Sequence, residues 1–137
     1  MIKPLNFLFT TWEGGGNVTP ALEVVRKLGA RGHRVRFMSD ECNRPEAEAN
    51  GASFVHWTRA PNRQTRDAAT EVIRDWAAAT PEEAMGGIMR DLVGGKALDY
   101  AQDTIDELRR EAADLVVTCE LTIGVFAACE SVGQRFA

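Results

Sequence analysis

Trp12-Glu13-Gly14-Gly15-Gly16-Asn17-Val18-Thr19-Pro20 separates an apolar run, Leu5 to Thr11, from a segment, Thr19 to Arg31, whose apolar residues recur at helical spacing. A short, nearly continuous apolar run ended by glycines is the pattern of a strand buried on both faces. Beyond the glycines, Ala21, Val24, Val25 and Leu28 form one helical stripe, with Thr19 able to cap, Pro20 suited to the first turn and Gly32 to the stop. Arg34 to Ser39 then reads as a second strand. Strand, glycine turn, helix, glycine turn and strand make a βαβ unit, whose crossover is right-handed. Such a turn sets bare backbone and a helix N-terminus at the carboxyl edge of a parallel sheet, where open α/β folds place ligands.

Outward from that unit, the pattern predicts a short helix from about Pro45 to Asn50, a third strand from Ser53 to Trp57, and an exposed Arg-rich loop from Thr58 to Arg66. Ala69, Val72, Ile73 and Trp76 predict one helical stripe, and Thr80-Pro81-Glu82-Glu83 a capping box. The helix it opens carries Ala84, Met85, Ile88, Met89, Leu92 and Val93 on one face, weakened by Gly86-Gly87 and ended by Gly94-Gly95. A long helix follows, with Leu98, Ala101, Ile105, Leu108 and Ala112 assigned to the core and Asp99, Asp103, Asp106, Arg109 and Arg110 to water. Asp114 to Cys119 reads as a fourth buried strand, and Thr122 to Val132 as a last helix ended by Gly133. The expectation is one domain over residues 1–137, an α/β Rossmann-like doubly wound parallel sheet of about four strands in the order 3-2-1-4. The fourth strand then lies at an edge, with Gln134 to Ala137 approaching a fifth strand, so the chain looks cut short and a homodimer through that edge is expected.

Composition bounds the function. A chain of 137 residues with a net charge of −4 spread over both halves offers no basic face for nucleic acid. Arg26, Lys27, Arg31, Arg34 and Arg36 read as a solvated helix face and strand edge. Three cysteines, Cys42, Cys119 and Cys129, form no C-x-x-C pair and have no histidines at metal spacing, so neither a disulfide framework nor a metal site is indicated. With no signal-peptide pattern and no apolar run of membrane-spanning length, a cytoplasmic protein without membrane partners is expected.

Nucleotide binding is the first use to test for a glycine loop. The dinucleotide fingerprint wants Gly or Ala at its third position, where this chain has Thr19. Asp40 stands where a ribose-binding acid belongs, although an Asp after a strand is commonly a turn or cap. No lysine follows the glycines, which excludes a nucleoside-triphosphatase phosphate loop.

The Gly-Gly-Gly-Asn-Val-Thr-Pro turn, then Arg31-Gly32-His33-Arg34-Val35-Arg36-Phe37, Asp114-Leu115-Val116-Val117 and Ala127-Ala128-Cys129-Glu130-Ser131-Val132-Gly133, together resemble the N-terminal half of a GT-B glycosyltransferase. The resemblance is to bacterial UDP-glycosyltransferase-like enzymes of natural-product biosynthesis and spans nearly the whole chain. It implies an acceptor-binding domain, with the nucleotide-sugar donor held by a second Rossmann-like domain and no cofactor in this one. It also implies inverting, metal-independent transfer, in which a base deprotonates the acceptor hydroxyl as it attacks the anomeric carbon. Acceptor binding without turnover is therefore expected of these residues alone. A stand-alone small-molecule-binding or self-associating module is the alternative, and an NAD-binding oxidoreductase fragment a weaker one.

Many members of that family carry histidine where this chain has Asn17. A carboxamide does not titrate, so Asn17 serves either as a turn and cap residue or to orient the acceptor. The resemblance places the family's partner acid at Glu120, which leaves Glu120 as the candidate base, with Asn17 as its hydrogen-bonding partner, or as a cap of the last helix. A carboxylate of pKa ~4.3 facing a phenol near ~10 is mismatched by ~6 units, roughly 8 kcal/mol, against roughly 5 for a histidine. Such a base needs burial, here expected beside Leu5, Phe7 and Leu121, or an acceptor that needs little deprotonation. Trp12, Glu13, Gly15 and Gly16 at the loop, with Trp76, Met85, Met89 and Trp57, are candidates to line a cleft for an apolar or aromatic acceptor; core filling is the competing use of the large side chains. His33 and His56 fall away from the loop and read as structural.

Overall fold

The computed structural model describes residues 3–14 and 16–137. Four parallel strands, β1 (Asn6–Thr10), β2 (Arg34–Ser39), β3 (Ser53–His56) and β4 (Leu115–Val117), lie in the order β3-β2-β1-β4. Register sets Phe9 opposite both Phe37 and Val117, so the carboxyl ends of β2, β1 and β4 stop within two residues of one another. Among the described residues five α-helices accompany them: α1 (Val18–Ala30), α2 (Arg44–Ala49), α3 (Pro81–Ile88), α4 (Ala97–Arg110) and α5 (Ile123–Val132).

Strand periodicity divides the core in two. Phe7, Phe9, Val35 and Phe37 join Leu22 and Val25 of α1 and Ala47 of α2. Leu8, Met38 and Val116 point the other way, onto Tyr100 of α4, Val125 and Cys129 of α5, and Trp57, whose ring meets Tyr100 edge-on at 4.8 Å. Doubly wound strands need apolar residues at every position for this reason, and Arg36 is the exception that β2 carries into the second layer.

Five expectations change. The side of α4 that faces the sheet carries Tyr100, Asp103, Thr104 and Glu107, while Leu98 is 67% exposed. The two acids occupy it because each has a partner across the layer: Glu107 pairs with the buried Arg36, and Asp103 accepts the backbone N–H groups of Thr58, Arg59 and Ala60, while Thr104 donates to Tyr100 O within its own helix. Arg36 is accordingly not part of a solvated edge. Residues 68–77 form two 3₁₀ turns, Ala68–Thr70 and Asp75–Ala77, in place of a helix. Side-chain bonds from Arg63 to Asp67 O and Thr70 Oγ1 close this segment locally.

Thr80 accepts the Glu83 N–H as expected of a capping box, but the Glu83 carboxylate reaches back to Ala79 N. Beyond Ile88 the helix widens into a π turn over Met89–Gly94, where Gly95 N donates to Arg90 O, five residues back. A Cβ at position 95 would stand 2.1 Å from that carbonyl, so glycine permits the turn. Finally, the outer edge of β4 is not bare. Residues 135–137 run parallel to it, with Val116 N donating to Arg135 O, Thr118 N to Ala137 O and Ala137 N to Val116 O. Phe136 anchors them by packing edge-on against Phe126 at 5.4 Å. The main-chain groups of β4 on which edge pairing between two copies was expected to rely are thus already used.

Candidate functional site: the carboxyl edge of β1 and β4

Sheet order reverses between β1 and β4, and the crevice beyond their carboxyl ends is the place where open α/β sheets hold ligands. A cleft of about 240 Å³ lies there, walled by Phe9, Pro20, Ala21, Val24 and Val117, with Thr10, Asn17, Thr118 and Cys119 supplying its polar groups. That register puts Thr10 beside Thr118, and the hydroxyls form a relay. Thr10 donates to Thr118 at 2.7 Å, Thr118 lies 2.8 Å from Thr122 Oγ1, and Thr122 donates to Cys119 O at 2.9 Å. With every hydroxyl hydrogen committed in that direction, the lone pairs of Thr10 are left as the free end.

Asn17 precedes α1 without a side-chain capping bond; its Nδ2 turns back to Gly14 O, closing the loop on itself. The Asn17 Oδ1 is buried and accepts no hydrogen bond among the described residues. Gly14, at φ +146°, lies so close to the Trp12 ring that a Cβ there would stand 2.1 Å from it. Gly15 lies outside the described residues. Gly16, at φ +73°, is exposed.

Asp40 and Arg63 hold the loop from the other side. Asp40, 2% exposed, accepts Glu13 N at 2.7 Å and Arg63 N at 2.8 Å, which is its use here in place of a ribose contact. Burial pushes its carboxyl above the ordinary aspartate value, against the pull of those two N–H groups. A carboxyl raised on folding gives stability that is fully present below its unfolded pKa and is lost as pH rises through the folded one. Wild type should therefore gain stability relative to Asp40→Asn as pH falls through that window, and urea midpoints measured across it would reveal the slope. Glu13 itself pairs with Arg66 at 3.5 Å.

The structure does not bring together all of the expected residues. Glu120 is exposed, three residues past β4, and accepts no hydrogen bond from Asn17, from the N-terminus of α5 or from any other described residue. It is not buried beside Leu5 and Phe7; Phe7 lies at the amino end of β1, against His33. Trp12 is in the wall of a second cleft, between the loop and residues 71–88, and Glu13 borders the same cleft. Trp57 is core, its Nε1 donating to Thr11 O at 2.9 Å. Trp76, Met85 and Met89 are exposed apolar residues of the 68–94 segment. Thr10 and Thr118 are not singled out by any motif in the sequence; threonines closing two neighbouring strands are the one signal for them. Among the described residues no helix is long and apolar enough to cross a membrane, and no His, Cys, Asp and Glu cluster of metal-binding size occurs.

The fold and the crevice define a Rossmann-like α/β domain of the doubly wound kind. Its fold recurs in solved glycosyltransferases: it is similar to the glycotransferase of kitacinnamycin, at 18% identity and a TM-score of 0.71 over 98% of this chain and 30% of that one. It is likewise similar to SsfS6 of Streptomyces sp. SF2575, at 19% identity and a TM-score of 0.72 over 96% of this chain and 38% of that one. A C-terminal domain of a Pyrococcus furiosus hydrogenase has the same fold at 13% identity, with a TM-score of 0.60 over 100% of this chain and 92% of that one. The chain spans 30% to 38% of the length of the glycosyltransferases named, and at these identities the likeness is one of fold. No protein-family model and no curated protein matches it.

Proposed function

We propose that these residues are the acceptor-binding part of an inverting, metal-independent glycosyltransferase that moves a sugar from a nucleotide-sugar to a small apolar or aromatic aglycone. The observation that carries this reading is the crevice at the switch point, apolar in its walls and edged by Thr10, Asn17 and Thr118. Solved proteins that share the fold include the kitacinnamycin glycotransferase and a calicheamicin glycosyltransferase, which favours a natural-product acceptor. In the proposed reaction the acceptor oxygen attacks the anomeric carbon as the bond to the nucleoside diphosphate breaks, and the hydroxyl proton passes to a base. Asn17 Oδ1 orients that hydroxyl by accepting from it, which a carboxamide can do at any ordinary pH. Glu120, unbonded at the same edge of the sheet, takes the proton; because it is exposed and not buried, it can do so only from an acceptor hydroxyl that needs little deprotonation. The donor nucleotide is held by a second domain outside these 137 residues.

Titration of the chain with a hydroxyanthraquinone should move the backbone amide resonances of the crevice or the adjoining cleft, while thymidine diphosphoglucose should bind no more tightly than millimolar. Micromolar NAD binding would instead support an oxidoreductase fragment. In an enzyme that joins this domain to a donor domain, Glu120→Gln should lower kcat roughly 100-fold or more. Turnover within a few-fold of wild type would remove Glu120 from the reaction. A stand-alone binding module is a second reading, favoured by the hydrogenase domain, whose extent is nearly that of this chain. Acceptor binding with no gain in turnover when a donor domain is supplied would support it.

A further inference from the structure

Between Arg63 and Leu92 no residue is buried, although both of those are. The stretch is held at its two ends. Arg63 donates to Asp67 O and Thr70 Oγ1, and Leu92 of the π turn is fully enclosed in the core. Of residues 64–91 only Ile73 packs against that core, and it is half-buried. Segments with so few buried contacts open at low free-energy cost and supply the moving parts of a fold.

Two pairs of glycines in this region differ in what the backbone asks of them. Gly94 and Gly95 are required where they stand, since a Cβ would lie 3.2 Å from Met89 O at the first and 2.1 Å from Arg90 O at the second. Nothing requires Gly86 and Gly87 within α3. Neither has a positive φ; a Cβ at 86 would meet nothing within 4 Å, and one at 87 only the side-chain tips of Arg90 and Asp91, at 3.8 and 4.0 Å. Each makes a helix interior roughly fivefold less stable than alanine would, so the pair weakens α3 with no return in the conformation seen. Paired small residues are where helices bend. The half of α3 before them is tied into one piece, with Glu83 N donating to Thr80 Oγ1, Ala79 N to Glu83 Oε2 and Ala84 N to Thr80 O. The second cleft, of about 180 Å³, takes its lining from both bodies: Val72, Ile73 and Asp75 before the glycines, Trp12, Gly14 and Leu121 from the rest of the domain. We infer that residues 71–85 form a lid that swings about Gly86–Gly87 and closes this cleft over a bound ligand. That the ligand is the acceptor rests on the acceptor-binding reading; the hinge does not.

Met85 and Met89 stand on either side of the glycine pair and are 55% and 44% exposed, so they test the hinge without a ligand. In protein carrying ¹³C at the methionine methyls, Met85 should show relaxation dispersion from microsecond-to-millisecond motion, while Met89 and the core residue Met38 should not. Gly86→Ala combined with Gly87→Ala, for which there is room, should lower the population of the bent state about 25-fold and flatten the Met85 dispersion. A flat Met85 profile in the wild type, equal dispersion at Met85 and Met89, or dispersion at Met85 that survives the double substitution overturns the hinge. If the double variant does not fold, the wild-type contrast between Met85 and Met89 still decides. Saturating hydroxyanthraquinone should also flatten the Met85 profile. Binding that leaves the profile unchanged overturns closure over the ligand, and no binding at all overturns the acceptor-binding reading while the hinge stands.

Discussion

Glu107→Ala should destabilise the protein by about 3–5 kcal/mol, because it takes the contacting counter-charge from the buried Arg36 guanidinium and leaves it the half-buried Glu111 carboxylate at 3.9 Å. Arg36 and Glu107 have side chains 4% and 5% exposed and are in direct contact. Arg36 also donates to Glu111 O at 2.8 Å and Ala112 O at 3.2 Å, so the same guanidinium ties β2 to the carboxyl end of α4. A loss of that size corresponds to roughly 10 °C or more in Tm for a domain of this length. Arg110→Ala supplies the control. Arg110 reaches Glu107 at 2.7 Å from a side chain 59% exposed, and its removal leaves Glu107 paired with Arg36, so the loss should be about 0–1 kcal/mol. Replacing both buried partners, as Arg36→Met with Glu107→Leu, should recover most of the loss but not all, since the carbonyls of Glu111 and Ala112 lose their donor. Equal urea midpoints for Glu107→Ala and Arg110→Ala would contradict the assignment.

That pair marks where the sequence stops being legible. β1, β2 and α1 declare themselves because their apolar residues are adjacent or helically spaced, and the glycine turns between them fix the βαβ unit. Strand order follows from the handedness of crossovers. The orientation of α4 does not follow, because a helical wheel assigns charge to water and leucine to the core. What turns Asp103 and Glu107 inward is a set of partners 43 to 71 residues earlier in the chain, invisible to local periodicity. The same limit governs the site. The position of the glycine loop is local and was readable, as was the place of Asn17 within it. The link from Asn17 to Gly14, which takes the amide hydrogens away from Glu120, depends on the loop's backbone path. Thr10 and Thr118 meet only through the register of β1 with β4, which no spacing within either strand reveals.

Function reaches the same divide from the other side. The carboxyl-edge crevice is a consequence of topology, so its existence was predictable from strand order alone. Its chemistry was not, because it depends on which side chains the loop leaves unsatisfied. One of these is Asn17 Oδ1, left without a partner while the Nδ2 of the same side chain bonds Gly14 O. A glycine loop that holds an unpaired group in one place needs rigid support. Asp40 and Arg63 give it on one side, and Arg63 in turn hangs on the segment that begins at Trp57.

Asp103→Ala should therefore reach beyond α4, with a cost of about 3–5 kcal/mol and a loosened glycine loop. The Asp103 side chain is fully buried and takes Thr58 N at 2.9 Å, Arg59 N at 2.8 Å and Ala60 N at 3.0 Å, in addition to Arg59 Nη1 at 3.1 Å. Three consecutive backbone donors lose their acceptor together, and each buried donor left unmade costs about 1–3 kcal/mol. Asp103→Asn should cost less than Asp103→Ala, since one oxygen, Oδ2, accepts all three N–H groups and the Asn carbonyl can take its place, with the amide nitrogen left facing the half-exposed Arg59 guanidinium. Arg59→Ala, which removes only a half-exposed partner, should cost less than about 1 kcal/mol. Hydrogen exchange separates a local from a transmitted effect. If residues 58–63 act as one strut, Asp103→Ala will speed exchange at Thr58, Arg59 and Ala60 and also at Arg63 and Glu13, whose N–H groups share the Asp40 carboxylate. Faster exchange that stops at Ala60 would mean that Asp40 alone holds the loop, and that the support of the cleft is independent of α4.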